Sequence, residues 1–230
     1  MGRIKLAEAA ALVDASYSIG RCDILKDRLA RDPLDHWDVQ AVLIDDGTLL
    51  IPGSNHYRDY IKFNLGHFRF GDGKYRMSDL ARQQDGSGAL WHRGFFAHAK
   101  VIHDWLGDRP PKRIIGHSLG AASAQILSQK WKVPTLCFAS PRPHYGHHPL
   151  VDERWTMNIC RDGDPVIGFP GKFRHVGAVT MLKSGMRGFA LRHAMPHYRR
   201  LLLEHAANPK LPVHWPKGEG NLTGAGAKAA

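Results

Sequence analysis

One serine stands between two glycines where an apolar run meets a helical pattern. In RIIGHSLGAASAQIL, Ser118 follows a strand-like run and precedes a helix-like one, flanked by Gly116 and Gly120. A sharp strand-to-helix turn lifts such a hydroxyl above the edge of a sheet, and the glycines leave room for the turn. The following helix directs its free N–H groups to the same place, so the N–H of Leu119 can bind an oxyanion. The pattern predicts a nucleophile elbow.

A serine hydroxyl is a weak nucleophile near neutral pH, so the elbow requires two further groups. These are a base and an acid that orients it, in the chain order serine, acid, histidine. The acid should follow a strand, and strand-like TMNICR is followed by DGDPVIGFP, which offers Asp162 and Asp164. Aspartates before glycine or proline are also common turn residues, so the pattern alone leaves both open.

The base must be chosen from fifteen histidines. Most histidines have structural or solvated positions, so the residue type alone does not select one. The required chain order limits the candidates to those after the acid, which are His175, His193, His197, His205 and His214.

Five segments occur in one order along roughly residues 40 to 200. They are IPGSNHYRDYIKFNL, WHRGF, RIIGHSLGAA, FASPRPHYG and NICRDGDPVIGFP. Together they resemble, in this order, the oxyanion loop with its lid helix, the His-x-Gly-Phe segment, the elbow, a strand end and the acid loop of the class 3 lipases. That family is the fungal-type triacylglycerol lipase group of the α/β hydrolases.

The resemblance selects among the candidate acids and bases. It implies that Asp164 is the acid and that Asp162 falls outside the matched pattern. The string RHAMPHYRRLL resembles the family's His-x-Met-x-x-Tyr segment, which implies His193 as the base, with His197 as the alternative. In GKFRHVGAV, His175 matches a family position that precedes a strand and is not the base.

The resemblance also implies a second oxyanion donor beside Leu119. Ser54 in PGSNHY occupies the family's position for this donor, although Gly-Ser is also an ordinary turn. The chain departs from the family pattern at Pro52, where an arginine is usual, at Ala121, where glycine is common, and at Ile167, where the family has proline. None of these changes removes a catalytic group.

The segment of about residues 55–70 has helical amphipathic spacing. One helix face at i, i+3, i+4 and i+8 would carry Tyr57, Tyr60, Ile61 and Leu65. Such a helix can pack on the core, or it can cover an apolar cleft. The resemblance and the position beside the oxyanion loop favour a lid that contacts substrate.

Alternating strand-like and helix-like strings position these residues. The string AVLIDDGTLLIPGS predicts a hairpin, FFAHAKVIHDWLG predicts a helix that stops at Gly107, and VPTLCFAS, RWTMNICR and RHVGAVTML predict strands. The alternation predicts an α/β protein, and the elbow makes it an α/β-hydrolase fold, with a mostly parallel central sheet and helices on both faces. We expect a single domain over residues 1–215 and a disordered tail over residues 216–230.

Bulk composition limits the partners. The chain has 230 residues, with 32 Lys plus Arg against 21 Asp plus Glu, which gives a net charge of +11. The basic residues are spread along the chain without a nucleic-acid motif, so no nucleic-acid partner is expected. A solvated basic surface explains the charge, and such a surface also attracts anionic lipid peripherally.

Cysteine content and hydropathy limit cofactors and location. The three cysteines, Cys22, Cys137 and Cys160, have neither metal-like spacing nor an even count, so we expect no metal and no disulfide. The expected chemistry needs no cofactor.

No run of about 18 apolar residues exists, and Glu8 interrupts the N-terminal apolar run, which argues against a signal peptide. We therefore expect a cytoplasmic protein.

The expected function is carboxylic-ester hydrolysis on lipid esters through a serine, histidine and aspartate triad. The resemblance implies a triacylglycerol or related acylglycerol as substrate. A phospholipase A or a short-chain carboxylesterase would use the same triad, and a non-catalytic basic lipid- or nucleic-acid-binding protein is a further alternative. Acyl chain length, headgroup, positional preference and oligomeric state are left open by the sequence.

Overall fold

The computed structural model describes residues 2–18, 23–53, 67–70, 73–76, 80–184 and 193–216. Its α-helices are α1 (Leu6–Ala15), α2 (Asp23–Lys26), α3 (Arg93–Leu106), α4 (Leu119–Trp131) and α5 (Met195–Glu204). Short 3-10 helices span Ser16–Ser18 and Glu153–Trp155. Its strands are β1 (Ile4–Lys5), β2 (Leu34–His36), β3 (Val39–Leu43), β4 (Thr48–Ile51), β5 (His67–Phe70), β6 (Gly73–Arg76), β7 (Arg82–Gln84), β8 (Leu90–His92), β9 (Arg113–His117), β10 (Thr135–Phe138), β11 (His144–Tyr145), β12 (Thr156–Arg161), β13 (Ala178–Leu182) and β14 (His214–Trp215).

A seven-stranded sheet has the strand order β13-β12-β10-β9-β4-β3-β2. Neighbouring strands pair parallel along β13, β12, β10, β9 and β4. The remaining pairs, β4 with β3 and β3 with β2, are antiparallel. The strands β9 and β10 are buried along their whole length, as expected for parallel strands that helices cover on both sides. The predicted mostly parallel sheet and the predicted hairpin of β3 and β4 are therefore confirmed.

Helices cover both faces of this sheet. Neighbouring strand residues point to opposite faces, so Ile115 lies in a core cluster with residues of α1 and α5, while Ile114 lies in a second cluster with residues of α3 and α4. Leu50 and Leu49 of β4 divide between the two clusters in the same way. The two apolar layers hold the carboxyl end of β9 between α1 and α4, and this end carries the candidate nucleophile.

The predicted lid-like segment of about residues 55–70 is described only at its C-terminal end. Residues 67–70 form the strand β5, which pairs antiparallel with β6 at His67↔Arg76. The string HFRF alternates polar and apolar residues, a period of two that favours a strand over a helix. The predicted helix face lies outside the described residues: Tyr57, Tyr60, Ile61 and Leu65.

The N-terminal and C-terminal parts of the described chain meet in a small sheet. Ile4 of β1 pairs with Trp215 of β14. The predicted tail lies outside the described residues from residue 217 onward. The predicted single domain over residues 1–215 stays a prediction.

Cys137 and Cys160 are free and buried, whereas Cys22 lies outside the described residues. Among the described residues, no group of three or more His, Cys, Asp or Glu side chains is arranged to hold a metal ion. Within the same part of the chain, every helix is too short or too polar to cross a membrane.

Candidate active site

Ser118 occupies a sharp turn between β9 and α4. Its backbone has φ 56° and ψ −126°, a conformation that costs a non-glycine residue about 1–3 kcal/mol. The Ser118 N–H donates to the carbonyl of Phe138 at 3.0 Å, which fixes the turn to the end of the neighbouring strand β10. The side chain is thereby held above the carboxyl end of the sheet, in the geometry of a nucleophile elbow.

Two glycines are required by close backbone approach around this turn. A methyl group at Gly116 would lie 2.8 Å from the Cα of Ala121 and 2.8 Å from the carbonyl oxygen of Gly120. At Gly120, a methyl group would overlap the carbonyl oxygens of Ile51 and Pro52. The helix α4 therefore packs directly against the elbow and the end of β4 because both side chains are missing.

His193 precedes α5 and points back to the elbow. Its Nε2 lies 2.6 Å from Ser118 Oγ, and its Nδ1 lies 2.9 Å from each carboxylate oxygen of Asp164. The ring is fully buried. Since an ionised carboxylate only accepts hydrogen bonds, Nδ1 carries the proton and Nε2 is left to accept the serine hydroxyl proton.

Asp164 lies in the turn after β12 with both oxygens hydrogen-bonded. Besides His193, its Oδ1 accepts the N–H of Val166 at 2.9 Å, and its Oδ2 accepts the hydroxyl of Tyr198 at 2.9 Å. Burial alone would raise the pKa of Asp164, but the nearby His193 and these hydrogen bonds hold it below its usual value. The carboxylate is therefore ionised near neutral pH.

The alternative acid and bases lie elsewhere. Asp162 is exposed and accepts the Ser184 N–H at 2.8 Å. His175 Nε2 contacts the Ser140 carbonyl at 2.7 Å, and His205 Nε2 contacts the Lys183 carbonyl at 2.7 Å. None of these three side chains has a hydrogen bond to the Ser118 hydroxyl among the contacts of the described residues.

Two further histidines complete the set of alternative bases. His197 lies on the first turn of α5 and is partly exposed, with a pKa lowered by burial and by nearby arginine charges. His214 is exposed in β14. The ring that contacts the serine hydroxyl is that of His193.

The two predicted oxyanion donors, Leu119 and Ser54, are described only in part. Leu119 is the first residue of α4, so its N–H has no acceptor inside the helix and lies next to the Ser118 side chain. Ser54 lies outside the described residues. The neighbouring Gly53 approaches Ser118 so closely that a methyl group on Gly53 would lie 2.7 Å from Ser118 Cβ.

Three residues around the candidate triad were missed in the sequence. Tyr198 binds Asp164, and it is the tyrosine of the His-x-Met-x-x-Tyr string, so the string contained its signal. His117 precedes the nucleophile, and its Nε2 contacts the carbonyl oxygen of His193 at 2.9 Å. Tyr17 contacts His117 across 100 residues of sequence, and no local pattern indicates this.

A separate surface crevice of about 570 Å³ lies between β8, β11 and the C-terminal end of α4. It is lined by Trp91, His144 and Tyr145, among others, and by none of the triad residues. Among the described residues that line this crevice, no serine, base and acid are in mutual hydrogen-bond contact.

The fold is similar to that of three solved lipases. Each comparison has a TM-score of 0.53. The lipase of Rhizopus microsporus var. chinensis is 16% identical, over 76% of this chain and 73% of that chain. Lipase II of Rhizopus niveus is 16% identical, over 80% of this chain and 83% of that chain. A lipase of Yarrowia lipolytica is 14% identical, over 81% of each chain.

No family model matches the sequence, and no curated protein matches it either. Because the identities to the solved lipases are so low, the similarity is evidence for the fold alone. The predicted α/β-hydrolase fold is confirmed, and the resemblance to the class 3 lipases is confirmed at the level of the fold.

Proposed function

We propose that this protein is a serine carboxylic-ester hydrolase that acts on lipid esters. One observation carries the proposal: the side chains of Ser118, His193 and Asp164 form a continuous line of hydrogen bonds at a strained strand-to-helix turn. A serine, a neutral imidazole and a buried carboxylate in this order are the groups that acyl transfer requires. The binding-protein alternative gives no reason for the strain at Ser118.

In the first half of the reaction, Ser118 Oγ attacks the carbonyl carbon of the ester. His193 Nε2 takes the hydroxyl proton, and Asp164 stabilises the imidazolium that forms. The carbonyl oxygen becomes an oxyanion, for which we propose the Leu119 N–H and the Ser54 N–H and hydroxyl as donors. The bond to the alcohol then breaks, and His193 gives its proton to the leaving oxygen.

In the second half, a water molecule attacks the acyl group on Ser118. His193 Nε2 takes one proton of this water, and the same donors stabilise the second oxyanion. The bond between the acyl carbon and Ser118 Oγ breaks, the serine regains its proton, and the carboxylic acid leaves. The products are one alcohol and one acid per water consumed, without a cofactor.

The fold supports lipid esters as the substrate class. The three similar solved structures are all named lipases. The predicted lid residues Tyr57, Tyr60, Ile61 and Leu65 would give the apolar face that such substrates need. We therefore propose an acylglycerol as the substrate, with phospholipids and short soluble esters as the alternatives that the experiment must separate.

The proposal is tested by hydrolysis of p-nitrophenyl esters with acyl chains of graded length, beside emulsified triacylglycerol and phosphatidylcholine vesicles. We expect hydrolysis by the wild type and none by Ser118→Ala. Preference for long chains and for triacylglycerol supports a lipase. Preference for vesicles supports a phospholipase A, and short soluble esters alone support a carboxylesterase. No hydrolysis of any ester by the wild type would overturn the proposal.

Peripheral contact with anionic lipid is the second part of the proposal. The net charge of +11 attracts a negative surface, and salt screens this attraction over a Debye length of about 10 Å at 0.1 M. Anionic lipid added to a neutral ester emulsion should raise the rate at low salt and raise it less at high salt. A rate that is independent of lipid charge would leave the basic residues as a solvated surface.

A further inference from the structure

A chain of hydrogen bonds outside the triad joins two loops at the nucleophile. The Gly53 N–H donates to the hydroxyl oxygen of Tyr17 at 2.6 Å, and this hydroxyl lies 2.5 Å from His117 Nδ1. On the other side of the ring, His117 Nε2 lies 2.9 Å from the carbonyl oxygen of His193. This series of hydrogen bonds thus connects the backbone of Gly53, next to Ser54, with the backbone of His193.

The direction of each hydrogen bond is fixed by chemistry. A carbonyl oxygen only accepts, so His117 Nε2 carries a proton and donates it to His193. Burial and the neighbouring His193 lower the pKa of His117 to about 3, so the ring is neutral and its Nδ1 must accept. Tyr17 therefore donates its hydroxyl proton to Nδ1, while the same oxygen accepts from the Gly53 N–H.

This series of hydrogen bonds connects residues of the site that are distant in sequence. Tyr17 and His117 are 100 residues apart, and His117 and His193 are 76 residues apart. His117 is only 3% exposed, and its ring meets Tyr17 edge-on with centroids 5.7 Å apart. Gly53 lies directly against Ser118, so a shift of its backbone would change the space in which an oxyanion forms.

We propose that Tyr17 and His117 are positioning residues, which hold the backbones of Gly53 and His193 in fixed places around Ser118. This inference rests on the proposed function. Among the described residues, neither side chain has a hydrogen bond to the Ser118 hydroxyl, which contacts His193. Both act through other residues: Tyr17 sets the oxyanion loop, and His117 sets the base. Their effect falls on the step in which charge develops, because small displacements matter most in the transition state.

The first test removes the Tyr17 hydroxyl and keeps its ring. Tyr17→Phe should lower kcat by about tenfold and leave KM within about twofold, because the lost contact orients groups and does not bind substrate. Tyr145→Phe is the matched control, since Tyr145 lies in β11 beside Phe173, away from the elbow, and it should keep the wild-type kcat. A KM change without a kcat change would overturn the proposal.

The second test separates the two nitrogen atoms of His117. A glutamine side chain can place an N–H near the position of Nε2, whereas an asparagine side chain can place an oxygen near the position of Nδ1. His117→Gln should therefore keep more kcat than His117→Asn, because it keeps the donor to His193. The exposed His147 supplies controls, His147→Gln and His147→Asn, which should match the wild type.

A double variant shows whether the residues act as one unit. If they do, adding Tyr17→Phe to His117→Gln should cost less than the tenfold loss seen alone, because the acceptor for the hydroxyl is already missing. If the losses of kcat in the two single variants add fully in the double variant, Tyr17 and His117 do not act as one unit. Thermal unfolding of each variant identifies a loss that comes from unfolding, and Tyr17→Phe remains decisive if the His117 variants do not fold.

The rate of reaction with an alkyl fluorophosphonate separates this inference from the proposed function. In that reaction Ser118 Oγ gives its proton to His193 and bonds to phosphorus, while the phosphorus–fluorine bond breaks and fluoride leaves. If wild type is not modified at Ser118, both the proposed function and the positioning role are overturned. If wild type is modified and Tyr17→Phe reacts as fast as Tyr145→Phe, the positioning role alone is overturned. The expected result is a slower reaction of Tyr17→Phe by about tenfold.

Discussion

Two buried histidines, His193 and His144, have opposite surroundings. Both nitrogen atoms of His193 are hydrogen-bonded, one to the carboxylate of Asp164 and one to the hydroxyl of Ser118. His144 in β11 packs edge-on against Trp91 with ring centroids 5.2 Å apart, and its buried Nδ1 has no hydrogen-bond partner among the described residues. The first ring lies between a carboxylate and a hydroxyl, whereas the second packs as an aromatic side chain.

This difference indicates that a buried histidine can act as a base only where it has suitable hydrogen-bond partners. Burial first, and then the charge of Arg174, lower the pKa of His144 to about 4, so its ring is neutral near pH 7. A neutral ring is also what a general base needs. The charges of Glu153 and Asp85 only partly offset this lowering of the pKa, and among the described residues no carboxylate or hydroxyl is hydrogen-bonded to the His144 Nδ1. The proposed chemistry should therefore depend on His193 and not on His144.

The largest expected effect on activity comes from substitutions at Ser118 and His193. Ser118→Ala and His193→Ala should each lower kcat for ester hydrolysis by at least about 10³-fold, because triad members act as one unit. His144→Phe keeps an aromatic ring against Trp91 and should keep kcat within about twofold. Steady-state kinetics on a p-nitrophenyl ester measures all three. A large loss in folded His144→Phe would remove the distinction between the two histidines.

The acid gives the next largest effect. Asp164→Asn should lower kcat by about 10³- to 10⁴-fold, because an amide does not hold the His193 tautomer that leaves Nε2 free to accept. Asp162→Asn is the matched control two residues earlier, where the side chain is exposed and contacts Ser184. This control should retain the wild-type rate. Full activity in Asp164→Asn with loss in Asp162→Asn would move the acid to Asp162.

A smaller effect is expected one contact further out. Tyr198→Phe removes the hydroxyl that donates to Asp164 Oδ2 and should lower kcat by about two- to tenfold. Because Tyr198 is fully buried in α5, thermal unfolding must be compared as well. An unchanged kcat in a folded Tyr198→Phe would show that the hydrogen bonds from Val166 and His193 are sufficient to orient the carboxylate.

The smallest effect on activity is expected at the second histidine, where the expected change is in stability. Unfolded His144 has a pKa near 6.5 and folded His144 about 4, so the unfolded chain binds more protons between these values. Its contribution to the free energy of unfolding is complete above about pH 6.5 and is lost as the pH falls towards 4. The loss amounts to at most about 1.4 kcal/mol per pH unit.

His144→Phe should therefore flatten the fall of the free energy of unfolding between pH 6.5 and 4. Urea unfolding at several pH values measures this slope. His147→Phe, the same substitution at an exposed position three residues away, is the matched control for the change of side chain. Equal slopes for wild type and His144→Phe would contradict the lowered pKa.

Local patterns predicted the parts of the site that are local. The elbow is a strand, a turn and a helix in one short string, so RIIGHSLGAASAQIL indicated Ser118 and both glycines directly. The choice of Asp164 over Asp162 needed the family resemblance, because the direction of two aspartates in one turn depends on the turn itself. In the structure, Asp164 points to His193 and Asp162 to Ser184.

Contacts between distant segments were not predictable from single strings. Tyr17 reaches His117 only because α1 packs beside α5 and the end of β9, which the sequence does not specify residue by residue. The predicted lid segment illustrates a different limit, since helical spacing over residues 57–65 gave no sign of where the pattern stops. Only residues 67–70 of the predicted segment are described, and they form β5, which pairs with β6.

The central claim is that Ser118 becomes acylated, and trapping the acyl group tests it most directly. Wild type, Ser118→Ala and His144→Phe are each mixed with a p-nitrophenyl ester, quenched in acid within the first turnovers, and measured by intact-protein mass spectrometry and peptide mapping. We expect wild type and His144→Phe to gain the mass of one acyl group on the peptide that contains Ser118, and Ser118→Ala to gain none. An acyl group on another residue, with Ser118 unmodified, would contradict the account.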